Sequence, residues 1–266
     1  MVPSWDPKTY LRFADERARP YVELVDRIPL EAPARVVDLG CGPGTTTAEL
    51  LDRWPTANVV GLDRSPAMIA AARSRASERL TFVEADLATW EPAPDSLDVI
   101  IANAVLHWVP DHAAHFKGWL AALRPGGSLA FQVPANFDAP SHQILYRLAG
   151  SSPWRDRLAN LVGTAHSLPA AAYWRALHAL GATLDLWETT YYQVLTGPDP
   201  VLAWMEGSAL RPFLQGLPPA ERPVFTRAYA EELRQAYPPE PGGETLFAFR
   251  RVFVVATRPG RLGTGG

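Results

Sequence analysis

A carboxylate followed by a run of glycines opens the chemistry of this chain: Val36-Val-Asp38-Leu-Gly40-Cys-Gly42-Pro-Gly44. Asp63, 19 residues beyond Gly44, closes the next apolar stretch. Glycine is needed where the backbone takes positive φ, or where it lies against a ligand with no Cβ between them. An acid at the end of the following strand suits a bidentate grip on two ribose hydroxyls. Dinucleotide folds show G-x-G-x-x-G, whereas here the third glycine is Gly44, position 45 is Thr and Pro43 stiffens the turn. Asp38 also argues against a pyrophosphate, because a buried carboxylate beside two phosphates is repulsive. A ligand carrying a ribose, an amino group and a sulfonium cation would be welcome there. S-adenosylmethionine fits that description and NAD fits it poorly.

Other residues fall where such a ligand would be read. Glu84-Ala-Asp86-Leu87 ends a third strand pattern, where the Asp86 side chain and the Leu87 backbone N–H can meet the adenine amine and a ring nitrogen. The alternative for Asp86 is a helix or turn cap. Asn103-Ala-Val-Leu-His107-Trp108 follows a fourth strand. Asn103 can hold a methionine amino group, and Trp108 can close over the sulfonium, with roughly 1–2 kcal/mol of cation–π energy, or else pack under the next helix. His107, Asp111, His112 and His115 invite a metal, but they lack H-E-x-x-H and any cysteine partner. They read as solvated histidines, and no metal is expected. No G-x-S-x-G elbow supports a hydrolase.

These residues need a frame to hold them. Residues 7–27 have helical periodicity broken at Pro20. Strands are predicted at Arg35–Leu39, Ala57–Leu62, Leu80–Val83, Leu97–Ala102 and Ser128–Val133. Between them lie helices at Thr45–Trp54, Pro66–Arg75 and Asp111–Leu123. The first has three threonines suited to capping, the second has Ser65 as its cap, and Pro125-Gly-Gly127 stops the third. Alternation at this spacing means an α/β, doubly wound, Rossmann-like parallel sheet. Residues 1–137 are therefore expected to form a cofactor-binding core with N-terminal lid helices, and 138–180 a helical insertion. Residues 181–195 are read as a core strand region with a strand pair around Thr183–Tyr192, and 196–243 as a helical substrate cap. A last strand covers 244–257, and 258–266 is a disordered tail.

Composition narrows the function. A length of 266 residues suits one α/β unit with insertions. A net charge of −3 gives no electrostatic footprint for nucleic acid. The single cysteine, Cys41, excludes an internal disulfide, and the first residues lack the regions of a signal peptide. With no stretch able to span a membrane, the expected location is the cytoplasm. Arg supplies all but two, Lys8 and Lys117, of the 25 cationic side chains, so a single Arg is weak support for an anion site.

In this order the motifs resemble the class I S-adenosylmethionine-dependent methyltransferases, and more narrowly the trans-aconitate 2-methyltransferase family. Trp5-Asp6-Pro7 with Tyr10, Phe13, Arg17, Arg19 and Pro20 carries the likeness at the start. Asp63 with Ser65-Pro-Ala-Met68-Ile, Asn103-Ala with Trp108-Val-Pro-Asp111-His112, and Gln132-Val-Pro134 with Asn136 carry it through the core. Thr189-Thr-Tyr191-Tyr192, Leu210-Arg211-Pro212 and Arg251-Val-Phe253-Val-Val-Ala256 extend it to the end. The departures are Ala209 and Phe213, where the family pattern has a Gly and a Trp; Phe213 would keep an aromatic wall.

The resemblance implies a seven-stranded sheet with its last strand antiparallel, and methylation of one carboxylate of trans-aconitate. It implies cofactor contacts from Gly40, Gly42, Gly44, Asp63, Asp86 and Asn103, with Asp38, Arg64, Met68, Leu87 and Trp108 completing the set. Tyr10 and Arg17 would fold down over the cofactor. A multiply charged acid needs cations to enter a dry pocket, preferably Arg. Arg211 and Arg251 are the candidates, with Tyr192 and Asn136 as hydrogen-bond donors and Trp108 as a positioning wall. Two alternatives stay open: a class I methyltransferase acting on another small molecule or a malonyl thioester, and a non-catalytic S-adenosylmethionine-binding protein.

Overall fold

The computed structural model describes residues 14–260, with side chains from residue 19 onwards. The first helix among the described residues, α1 (Ala14–Asp26), runs unbroken through Pro20. An interior proline costs about 3 kcal/mol. Burial of Tyr21, Leu24 and Val25 against the sheet offsets that cost, so the expected break does not occur. Tyr10 lies outside the described residues, and Arg17 lies in α1 with its side chain outside them.

Strands β1 (Arg35–Leu39), β2 (Asn58–Asp63), β3 (Leu80–Glu84), β4 (Leu97–Asn103), β5 (Leu123–Pro134), β6 (Thr183–Leu195) and β7 (Thr245–Thr257) form one sheet in the order β3-β2-β1-β4-β5-β7-β6. The first five pair in parallel; β7 is antiparallel to both β5 and β6. The predicted strand pair at 183–192 is a single strand, and its partner is β7, residue for residue from Thr183↔Thr257 to Leu195↔Thr245. β5 begins at Leu123, five residues earlier than predicted, with a register irregularity between Leu97 and Val99 absorbing Pro125-Gly-Gly127.

Helices α2 (Thr45–Arg53) and α3 (Pro66–Ala72) cover one face with α1, while α4 (Phe116–Ala122) and α7 (Ala170–His178) cover the other. The remaining helices, α5 (Pro140–Ala149), α6 (Arg155–Leu158), α8 (Pro200–Glu206), α9 (Leu210–Gly216) and α10 (Arg222–Ala236), share a third apolar cluster. That cluster takes in Leu195, Phe247 and Phe249, where β6 and β7 extend past the parallel strands. Within the expected 138–180 insertion, packing divides: α5 and α6 belong to this cap, whereas Tyr173 and Leu177 of α7 belong to the core under the sheet.

The cap is held by aromatic contacts. Phe225 is fully buried and meets Trp154 edge-on, with ring centroids 5.0 Å apart. Phe225→Ala should cost about 3–5 kcal/mol. Chemical denaturation checks this; a midpoint unchanged from the parent would contradict the packing described.

Candidate active site

The carboxyl ends of the parallel strands and the inner edge of the cap enclose a cavity of about 1040 Å³. One end is built by the glycine turn. Gly40, Gly42 and Gly44 have φ of +69°, +55° and +75°. A Cβ on Gly42 would project into open space, while one on Gly44 would strike the Phe82 ring at 2.7 Å. Gly42 therefore leaves a cradle that a ligand can fill, and Gly44 lets the turn sit down on β3.

Asp63 lies at the end of β2 and lines the cavity. Its Oδ2 accepts from the Gly42 N–H at 3.0 Å and its Oδ1 from the Ser65 N–H at 2.8 Å. Each oxygen keeps a lone pair for a ligand hydroxyl. Ser65 in turn caps α3, its hydroxyl accepting from Met68 N–H at 3.4 Å. Arg64, Met68, Asp86 and Leu87 line the same end. Asp86 combines both readings of its position, since its Oδ1 accepts from the Ala88 N–H at 3.0 Å while the residue faces the cavity.

Asp38 is placed differently from expectation. It is buried behind the turn, outside the cavity lining, and accepts from the Thr47 hydroxyl at 2.6 Å. The α2 threonines therefore do not cap: the N-cap is Gly44, with no side-chain cap bond, and Thr47 reaches back to β1 instead. Burial raises the Asp38 carboxyl to about 7; the Thr47 hydrogen bond opposes the rise and the charge of Asp63 adds to it.

At the opposite end, a line of polar side chains crosses three strands. Arg251 of β7 donates from Nη1 to Gln132 Oε1 at 2.8 Å, and Gln132 Nε2 donates to Asn103 Oδ1. Asn103 and Gln132 are register partners, and Arg251 stands opposite Pro134. Arg251 is 5% exposed, and its guanidinium lies 4.8 Å from the Phe249 ring centroid. Trp108, Trp204 and Phe249 give the cavity aromatic walls, with Phe249 at the Arg251 end. Ala104, next to Asn103, is held at φ +51° and lines the cavity. Backbone strain of this kind concentrates at ligand sites.

The family described as "Methyltransferase domain" matches residues 36–127. Over 263 residues the chain is 50% identical to a trans-aconitate 2-methyltransferase of Streptomyces avermitilis, covering 96% of this chain and 97% of that protein. It is 46% identical over 258 residues to one from an Azoarcus species, covering 97% and 100%. The chain belongs to the trans-aconitate 2-methyltransferase family. Among solved structures, the YcgJ protein of Bacillus subtilis shares the fold at 16% identity, with a TM-score of 0.62, over 91% of this chain and 99% of that one.

Several residues that the family likeness nominated stand away from the cavity. Tyr192 is 65% exposed, because successive strand residues face opposite sides and Tyr191 is the buried one. Arg211 is in α9 and Phe213 is in the cap core, so Phe213 forms no wall of the cavity. Asn136 is 3% exposed, behind the lining, with both amide atoms unpartnered among the described residues. His107 and His112 are buried rather than solvated; His112 Nε2 meets the Tyr173 hydroxyl at 2.8 Å. Among the described residues no group of three or more His, Cys, Asp or Glu could hold a metal, and no helix is long and apolar enough to cross a membrane. Gln132, His107, Trp204 and Phe249 complete the site unforeseen. Gln132 stood in the motif Gln132-Val-Pro134, which was the available signal.

Two outcomes test this end of the enzyme. Gly44→Ala should lower stability by about 3 kcal/mol through overpacking and backbone strain. Gly42→Ala should cost only about 1 kcal/mol yet weaken S-adenosylhomocysteine binding, as read by urea melts and calorimetry. The second concerns pH. A carboxyl at about 7 in the fold keeps a proton that the unfolded chain has lost above the ordinary value of 3.8. Stability should therefore fall between about pH 4 and pH 7, by on the order of 4 kcal/mol, and then level off. Asp38→Asn should remove most of that decline in melts taken from pH 4 to 8.

Proposed function

We propose that the enzyme transfers a methyl group from S-adenosyl-L-methionine to a carboxylate of trans-aconitate, forming a methyl ester. The reading is carried by one cavity with two unlike ends: a glycine cradle with Asp63 at one, and the buried Arg251 at the other. It is supported by near-full-length likeness to trans-aconitate 2-methyltransferases.

The residues present fit the cofactor. Gly42 leaves room for close approach, Asp63 offers acceptors to vicinal hydroxyls, and Asp86 with Leu87 suits an adenine edge. Asn103, which lines the cavity, suits an ammonium. When bound, the cofactor supplies an electrophilic methyl carbon on a sulfonium.

The acid requires no base, because its carboxylates are ionised at neutral pH. A carboxylate oxygen lone pair would form the new O–C bond, with the cofactor supplying the methyl carbon and a neutral thioether as leaving group. This chain aligns oxygen, carbon and sulfur and excludes water. Arg251, held by Gln132 and lining the cavity, presents a planar guanidinium whose shape suits a carboxylate. Opposite charges cancel as the reactants meet, so aromatic walls (Trp108, Trp204, Phe249) favour the transition state over a watery site. Arg211, Tyr192 and Asn136 stand outside the lining and are not assigned to the acid in this arrangement.

Mass spectrometry of products from trans-aconitate, cis-aconitate and isocitrate tests the reading, with a mono-methyl ester of trans-aconitate expected. Arg251→Ala should lower kcat/KM for that acid about ten- to a hundredfold while changing S-adenosylhomocysteine affinity little. Equal loss of both would remove Arg251 from the acid's site.

A further inference from the structure

His107 lies in the cavity wall, where neither the cofactor contacts nor Arg251 explain it. It sits in the short 3-10 turn Leu106–Trp108 that follows β4, 6% exposed. Its ring packs against Trp108 at 5.0 Å and Phe137 at 6.2 Å between centroids. The Nδ1 atom is buried with no hydrogen-bond partner among the described residues. A proton there would be an orphaned donor in an apolar shell, whereas a bare lone pair is the milder defect. The neutral ring therefore carries its proton on Nε2, its other polar atom. The ring is also kept neutral. Burial first, then the positive charge of Arg251 on β7 and the neighbouring His112, His142 and His166, hold its pKa down to about 3.

Arg251 stands on β7 and His107 in the turn that follows β4, on either side of β5, and both line the cavity. Arg251 is near enough for its charge to act on the His107 ring. A cation and a neutral donor lining one cavity can hold different carboxylates of one molecule. A singly charged acid would leave one of them idle.

We infer that His107 orients the substrate, its imidazole Nε2–H donating to one carboxylate of the polycarboxylic acid while Arg251 takes another, so that a single remaining carboxylate faces the methyl donor. The inference rests on the polycarboxylate reading above and deepens it: two-point anchoring makes the site choose among carboxylates and prefer acids with three. Because His107 is neutral, it adds a hydrogen bond without a second buried charge.

The test compares His107→Leu, His107→Asn and His107→Gln with the parent enzyme. Glutamine can place an amide N–H near the Nε2 position; asparagine places its amide near Nδ1, and leucine has neither. Leucine and asparagine should raise KM for trans-aconitate about ten- to a hundredfold, with a smaller change in kcat. They should also yield a mixture of positional methyl esters where the parent yields one, read by chromatography and mass spectrometry. Glutamine should restore much of the KM and the single ester. S-adenosylhomocysteine binding and thermal melting should match the parent in all three, and glutamine against asparagine decides the matter if leucine fails to fold. An unchanged KM and a single ester in the leucine and asparagine variants, with the parent active, would overturn the role of His107 and leave the substrate reading standing. A parent that binds S-adenosylhomocysteine but esterifies no polycarboxylate would overturn both.

Discussion

Asp63 is the tie on which the cofactor end depends. One carboxylate spans two pieces of backbone that no regular hydrogen-bond ladder joins: the glycine turn after β1, through Gly42 N–H, and the start of α3, through Ser65 N–H. Burial raises its pKa, and those two backbone donors pull it back down. Hydrogen bonds to the charged form are what allow an ionised side chain to persist in such a place. Asp38 behind it has a single hydroxyl partner and less relief. Asp38 therefore keeps its proton up to about pH 7, and Asp63 is the one of the two acids that faces the cavity, where a cationic ligand is favoured over an anionic one.

The other end solves the reverse problem, a buried guanidinium. Here the unusual strand matters most. Inserting β7 antiparallel between β5 and β6 brings Arg251 beside the last residues of β5, level with the ligand-facing strand ends. Gln132 then passes its hydrogen bonding from Arg251 to Asn103, so a residue of the acid end and a residue of the cofactor end are set by one amide. The Phe249 face against the guanidinium contributes a cation–π term without adding a competing acceptor. Gln132 accepts from the guanidinium as a neutral amide, which satisfies that donor without adding a second charge.

What the sequence revealed follows how local each feature is. The glycine turn, Asp63, the Ser65 cap and the Asp86 turn are settled within a few residues, and each stands where its local pattern placed it. The parallel strands were legible because a strand buried on both faces reads as an apolar run. Thr47 was read as a cap from its position, but its partner is nine residues away on β1, and only packing brings them together. Tyr192 shows a parity limit: the motif marks a tyrosine pair, while the twist and register of β6 against β7 decide that Tyr191 turns inward. His107 was read as solvated because its neighbours lack a metal-ligand pattern; in the fold it packs against Phe137, 30 residues further on.

Asp63 on β2 and Arg251 on β7 stand apart across the sheet, and the cavity they share has aromatic walls. The reaction brings a cation and an anion together and leaves neither, so a polar lining between them would stabilise the separated charges and raise the barrier. Each charge still has to be drawn out of water first, which demands strong local partners. Those requirements conflict only if they apply at the same place. In the proposed arrangement Asp63 and Arg251 would act on parts of the two molecules away from the bond being made, with Trp108 and Trp204 among the aromatic walls of the same cavity. Binding energy gained at the ends is thereby spent on holding reactants in a dry middle, where their mutual attraction is least screened. A substrate with one carboxylate could supply the nucleophile but not the anchors, so the same geometry that admits a polyanion leaves a simple acid poorly held.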